Sequence, residues 1–350
     1  MNSMSTPTEI PFQSLLDALL DIENHFDPRY LYRLSDLEPE EIAALQEAWG
    51  HIPLWRRQAL MEDLEELGNT NHLLSFEAIG RHAVCDQDPS VRNLAIRILW
   101  EFETADLAPL FLKIMETDSD AAVRAAAASA LGRFVYLGEI DELPRDSLRD
   151  IEDRLLRLIQ SNDSPQVRRR ALESLGYSSR QEVHPLIEKA FSSGETEWTA
   201  TALIAMGRSI DERWVDDVIS MLDSKFPILR TEAARAAGEL EIGDAVPRLM
   251  ELLDDSDEAV RRATIWSLSQ IGGEGVREAI EDLLGETDDY EEVDLLENAL
   301  DNLAFTEDLQ LYSLFDFSEE GLQVEMLDLL DGDEDYLEID SDEDDEDMLD

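Results

Sequence analysis

The chain has 350 residues, with 82 Asp and Glu against 28 Lys and Arg, a formal net charge of −54 at neutral pH. Such acidity argues against nucleic acid, whose phosphates would be repelled, and favours a basic protein partner captured by electrostatic steering. A lone cysteine, Cys85, rules out an internal disulfide and argues against a cysteine metal site; no apolar run approaches the ~20 residues of a membrane span.

Residues 12–24, carrying Leu15, Leu16, Leu19, Leu20 and Ile22, predict a helix that covers the N-terminal end. Residues 39–49, followed by Trp55, Arg56 and Ala59, read as a degenerate first helix pair. A ten-residue pattern then returns six times, led by Val91, Val123, Val167, Trp198, Leu229 and Val260. The spacings are 32, 44, 31, 31 and 31 residues, so one period of 31 recurs and a single insertion explains the outlier. A fixed period of this size marks a solenoid.

The second copy shows what the pattern encodes. Asp120 stands three residues ahead of Val123, in the place of a helix N-cap, and Asp88, Ser164 and Asp257 hold the same slot. Pro89 and Pro165 follow two of these caps at the favoured first helical position. Val123, Ala127 and Leu131 fall at i, i+4 and i+8, one apolar stripe of a helix. Gly132, Gly176, Gly207 and Gly238 share the ninth place after the leader, suited to a C-cap or a close helix crossing. Upstream lie further apolar stretches at 107–115, 151–159, 183–191, 215–222 and 245–253. Each unit is therefore a helix, a turn and a second helix. The fold class is all-α.

These residues resemble the HEAT repeat, in the short form named after the phycobilisome lyases, whose motif D-x-x-V-R-x-x-A-x-x-x-L-G is met by Asp120 to Gly132 and closely by Asp88 to Trp100. Trp198 with Thr199, Thr264 and Ser269 depart from it. The resemblance implies a right-handed α-solenoid whose second helices line the concave surface. The expected organisation is an N-terminal helical cap with one degenerate repeat over 1–70 and six repeats over 71–285. A degenerate capping repeat over 286–330 follows, in which Val293 and Asp294 are a decayed copy of the motif. The insertion, Val135 to Ser147, is expected to project as an exposed loop. Residues 331–350 hold 13 acidic residues and few apolar ones, the composition of a disordered tail.

Arginines crowd the second helices. Those beside a leader (Arg92, Arg124, Arg168, Arg230 and Arg261) are expected to bridge to carboxylates of adjacent units. Arg97 and Arg235 share the sixth place after the leader with Trp266, and Arg169 and Arg262 share the second. Together with Arg170 they form the candidate partner-binding set.

No phosphate-binding loop, nucleophile elbow or H-E-x-x-H motif occurs, and no His is followed by Glu, as the di-iron site of repeat-built deoxyhypusine hydroxylases requires. Asp331 to Asp342 lacks the Gly and Glu of a calcium loop. The expectation is a non-enzymatic scaffold or adaptor without metal or cofactor, binding a protein through its concave face and acidic C-terminal region. The alternative is a lyase-like accessory in tetrapyrrole or bilin attachment. With no signal-peptide pattern in residues 1–12, the expected location is the cytoplasm.

Overall fold

The computed structural model describes residues 10–314, with side chains to residue 305. The expected acidic tail and the later part of the 286–330 repeat lie outside the described residues. Every regular element among those described is helical. After α1 (Phe12–Leu20) and a 3-10 segment at Pro28–Leu34, helices come in pairs. These are α2 (Pro39–Trp49) with α3 (Leu54–Thr70), α4 (Glu77–Ala83) with α5 (Pro89–Leu99), and α6 (Leu107–Thr117) with α7 (Ala121–Glu139). Next come α8 (Arg145–Ile159) with α9 (Pro165–Leu175) and α10 (His184–Phe191) with α11 (Thr196–Arg208). The last are α12 (Val215–Met221) with α13 (Pro227–Glu239), α14 (Val246–Leu252) with α15 (Glu258–Ile271), and α16 (Val276–Glu286) with α17 (Tyr290–Leu314). Among the described residues no helix is long and apolar enough to cross a membrane.

The chain divides into two compact units, the first reaching to Ile271 and the second starting at Gly272. The break comes ahead of the boundary expected at 285. Gly272, Gly273 and Gly275 all hold positive φ there, backbone that side-chain-bearing residues rarely adopt.

In the first unit the local rules read from the motif are obeyed. The Asp88 carboxylate accepts from the Ser90 and Val91 N–H groups, Asp120 from Ala122 and Val123, and Asp257 from Ala259 and Val260. Leaders Val91, Val123, Val167, Leu229 and Val260 are buried, as are the residues four and eight places on in all six copies. Trp198 is only half-buried; its ring extends beneath the Arg168 guanidinium, 5.5 Å away. Second helices pack on one another along the stack, whereas consecutive first helices such as α6 and α8 touch little. The ninth-place glycines make this crowding possible. A Cβ on Gly176 would stand 2.8 Å from the Ala205 Cα, and one on Gly238 would stand 2.9 Å from the Ser267 Cα. They serve helix crossing: Gly132, Gly207 and Gly238 lie inside their helices. Ser174 and Ser267 sit opposite such glycines and donate to the Ala128 and Ala234 carbonyls at 2.8 and 2.6 Å.

A ladder of arginines joins the turns, as expected for three of the five leaders' neighbours. Arg92 forks onto Asp118, Arg124 onto Asp163 and Arg230 onto Asp255, with N···O distances of 2.6–2.9 Å. Each also donates from Nη1 to a carbonyl of its own turn. Arg168 instead stacks on Trp198 and donates to the Ile159 carbonyl at 2.8 Å. Arg261 donates to the Asp255 carbonyl at 2.9 Å.

Three expectations need correction. The motif register in α3 lies one residue later than Trp55: Arg56 takes the leader's place, with Leu60 and Leu64 buried after it and Arg57 paired to Asp86 as a ladder arginine. Arg56 can occupy an apolar slot because it donates to the Asp21 and Asn24 carbonyls and lies against the Phe26 and Trp55 rings. In the second unit the cap Asp289 accepts from the Glu291 and Glu292 N–H groups, so Glu292, one residue before Val293, takes the leader's place. The N-terminal helix is shorter than 12–24, ending at Leu20, and Ile22 is exposed.

Candidate protein-interaction site

Residues 135–147 are not the exposed loop expected from the period. The extra length goes into two longer helices, α7 with 19 residues and α8 with 15. The run from Ala121 to Ala130 is rich in alanine, the strongest helix former, and α7 then continues because Phe134, Val135 and Leu137 all find burial. Gly138 lets the Leu148 side chain come close; a Cβ at that glycine would stand 2.7 Å from Leu148 Cδ1. Asp141, with φ of 62°, turns the chain, Leu143 is buried, and Pro144 fixes the backbone just ahead of Arg145. The insertion is thus a helical ledge with its own apolar contacts.

That ledge carries a groove across four successive second helices. Trp100 follows the last residue of α5, Arg133 and Tyr136 project from α7, Tyr177 follows the end of α9, and Arg208 ends α11. These side chains line a cavity of about 260 Å³. The Tyr136 and Tyr177 rings meet edge to face at 5.6 Å. The Arg133 guanidinium lies 5.5 Å from the Tyr136 centroid and that of Arg208 lies 5.0 Å from Tyr177. Glu103 pairs with Arg133, and the Glu173 carbonyl accepts from Arg208 Nη1 at 2.9 Å. Trp100 is 43% exposed and Tyr136 36%, so flat apolar faces stand at the surface, with arginines over the two tyrosine rings. Trp, Tyr and Arg are the residue types that dominate protein-interface energetics.

The expected partner-binding residues lie elsewhere on the second helices. Arg97 pairs with Glu65 of α3 and Arg169 with Glu197 of α11, ties between neighbouring units. Arg170 meets Glu173 at 2.6 Å and Arg235 meets Glu232 at 3.3 Å, each within its own helix. Burial pushes the Glu232 carboxyl up, against the pull of Arg235. Arg262 is 4.0 Å from Glu258. Trp266 leans over Gly238 and is 37% exposed. None of the six lines the aromatic groove. The groove residues share the ninth, tenth and thirteenth places after the leader, one turn or two beyond the columns singled out in sequence. The available signal was Trp100, standing where four other units carry Gly. Among the described residues, no three His, Cys, Asp or Glu side chains converge to hold a metal ion.

Comparison with known proteins places this geometry in a family. The model describing HEAT repeats matches residues 80–157 and 215–301, slightly less than half the chain, and the units between repeat the same helix pairing. No curated protein matches the sequence. Among solved structures, the complex of CpcE and CpcF of phycocyanin lyase from Nostoc sp. PCC7120 is 19% identical, covering 65% of this chain and 94% of its own, with a TM-score of 0.45. Escherichia coli YibA is 15% identical over 81% of this chain and 98% of its own, at a TM-score of 0.41. Human deoxyhypusine hydroxylase is 16% identical over 87% and 98%, at 0.34. Likenesses of this degree carry no statement about activity. The six-fold motif, the buried leaders and the matched segments agree on one conclusion: the chain carries HEAT repeats.

Proposed function

We propose that the protein is a non-enzymatic scaffold or adaptor that grips a protein partner in the groove formed by Trp100, Arg133, Tyr136, Tyr177 and Arg208. One observation carries this reading. A repeat that in four other copies places glycine at the ninth position carries an exposed Trp there, and the repeat-breaking insertion adds Tyr136 to the same cavity. Rigid aromatic surface loses little entropy when covered, so such a cluster suits an anchor. The net charge of −54 favours a basic partner and a fast, salt-sensitive encounter. A cytoplasmic setting belongs to the same proposal and rests on the single cysteine.

The test uses a photo-crosslinking residue at Ser129 in the groove to capture a partner, followed by titration of that purified partner. Trp100→Ala and Tyr177→Ala should each weaken binding about tenfold or more, as hot-spot residues do. Unchanged affinity in both would overturn the assignment of the groove.

A further inference from the structure

A second cavity, of about 480 Å³, adjoins the same ledge and is lined by Glu139 at the end of α7, by Arg149, Glu152 and Asp153 of α8, and by Ser179 and Arg180 after α9. We propose that this cleft receives a cationic side-chain head, a guanidinium or ammonium group on a basic segment of the partner. The inference rests on the scaffold reading and adds the chemistry of what is recognised.

Glu152 is the reason. Its side chain is only 3% exposed, yet it is a carboxylate with little to neutralise it. The Ser178 hydroxyl donates to Oε1. Arg180 Nη1 stands 3.9 Å from Oε2, beyond hydrogen-bond distance. Arg180 is committed elsewhere, to Asp153 at 2.5 Å and Glu182 at 2.8 Å. A buried charge held by one neutral donor and one distant, shared arginine is costly. Burial accordingly pushes the Glu152 carboxyl up, Glu139 and Asp153 push the same way, and Ser178 and Arg180 oppose them. Glu139 is fixed at the cleft by the Ser179 N–H at 2.7 Å. Two carboxylates held by their surroundings on one cavity suit a planar, forked cation.

The opposite reading, an anion held by arginines, is weaker. Arg145 meets Asp141 at 3.4 Å in full exposure, Arg180 is already engaged, and Arg149 is exposed, where water serves it. What the cleft lacks is a close counter-charge at its buried carboxylate, since Arg180 stands 3.9 Å away and is shared with Asp153 and Glu182.

The experiment uses the full-length chain with carbon-13-labelled glutamate side chains and three probes: acetyl-Gly-Arg-Gly-amide, its uncharged citrulline counterpart, and acetyl-Gly-Asp-Gly-amide. The Glu152 signal is the one missing from Glu152→Gln, a variant that keeps an acceptor for Ser178. The arginine probe should move this signal toward its ionised position and lower its titration midpoint, while the citrulline probe leaves it in place. Glu152→Gln, and the half-buried Glu139→Gln as a second variant, should weaken arginine-probe binding about tenfold, with circular dichroism unchanged. Equal response to citrulline, or preference for the aspartate probe, overturns the inference. If the captured partner is lost on Trp100→Ala but binds Glu152→Gln normally, the groove stands and the cleft assignment falls. If the arginine probe binds as expected while Trp100→Ala leaves the partner's affinity unchanged, the groove falls and the cleft stands.

Discussion

Gly176 and Gly50 make opposite demands on the same side chain. A Cβ at Gly176 meets the Ala205 backbone at 2.8 Å, where neither helix can yield without moving its neighbour. Gly176→Ala should therefore destabilise the protein by about 1–3 kcal/mol, the usual cost of overpacking. Gly50 has helical φ of −67° and nothing within 4 Å of the same position. Gly50→Ala should be neutral or stabilise by up to about 1 kcal/mol, through the unfolded chain's lost freedom. Urea denaturation of both variants decides the matter; equal effects would mean that glycine at the ninth place has no crossing role. Val123, fully buried, offers a harsher probe. Val123→Asp should cost several kcal/mol because an unpaired carboxylate is forced into the seam, and a midpoint within experimental error of wild type would refute that placement.

The element that most changes expectation is the α7–α8 pair. Period counting alone treats residues 135–147 as surplus, and surplus length on a surface is inexpensive. In the folded chain the segment buries Val135, Leu137 and Leu143 and seats Leu148 against Gly138. Deleting it should strip three buried side chains, each worth about 2–5 kcal/mol as a large-to-small change. We expect loss of cooperative unfolding and of helical circular dichroism; a deletion that melts like wild type would show the segment to be dispensable. The ladder is the second test at this scale. Arg124 and Asp163 are both more than four-fifths buried, so a double-mutant cycle with Arg124→Ala and Asp163→Ala should give a coupling of about 1–3 kcal/mol. Additive effects would mean the pair contributes nothing beyond its two desolvated ends. Helix ends were legible in sequence because Asp88, Asp120 and Asp257 cap through their own nearest backbone. The ladder's partners lie 25 to 39 residues away, so only their residue types could be anticipated.

For the molecule as a whole, acidity and pH are tied together. Arg124 holds the Asp163 carboxyl below its ordinary value of 3.8, and Arg230 does the same for Asp255. For these depressed groups the stabilisation is complete above the ordinary value and disappears as pH falls through the folded one. Glu152 behaves in reverse. Burial raises it above 4.5, so its contribution is greatest when protonated and is lost as pH rises from 4.5 through the folded value. Relief of self-repulsion in a chain of net charge −54 also favours mild acid. The melting temperature should therefore climb from pH 7 toward about pH 5 and fall steeply below about pH 4. A steady decline from pH 7 downward, measured by calorimetry, would contradict this balance. The sequence by itself determined the repeat, its helix pairs, caps and buried seam, because these follow from periodicity and from contacts within one turn of helix. Only the tertiary structure decided the rest: that Arg56 fills an apolar slot, that the insertion is helical, and that Trp100, Arg133, Tyr136, Tyr177 and Arg208 meet. Each depends on surfaces supplied by neighbouring units, and a one-dimensional pattern does not encode which side chains of different repeats come to share a groove.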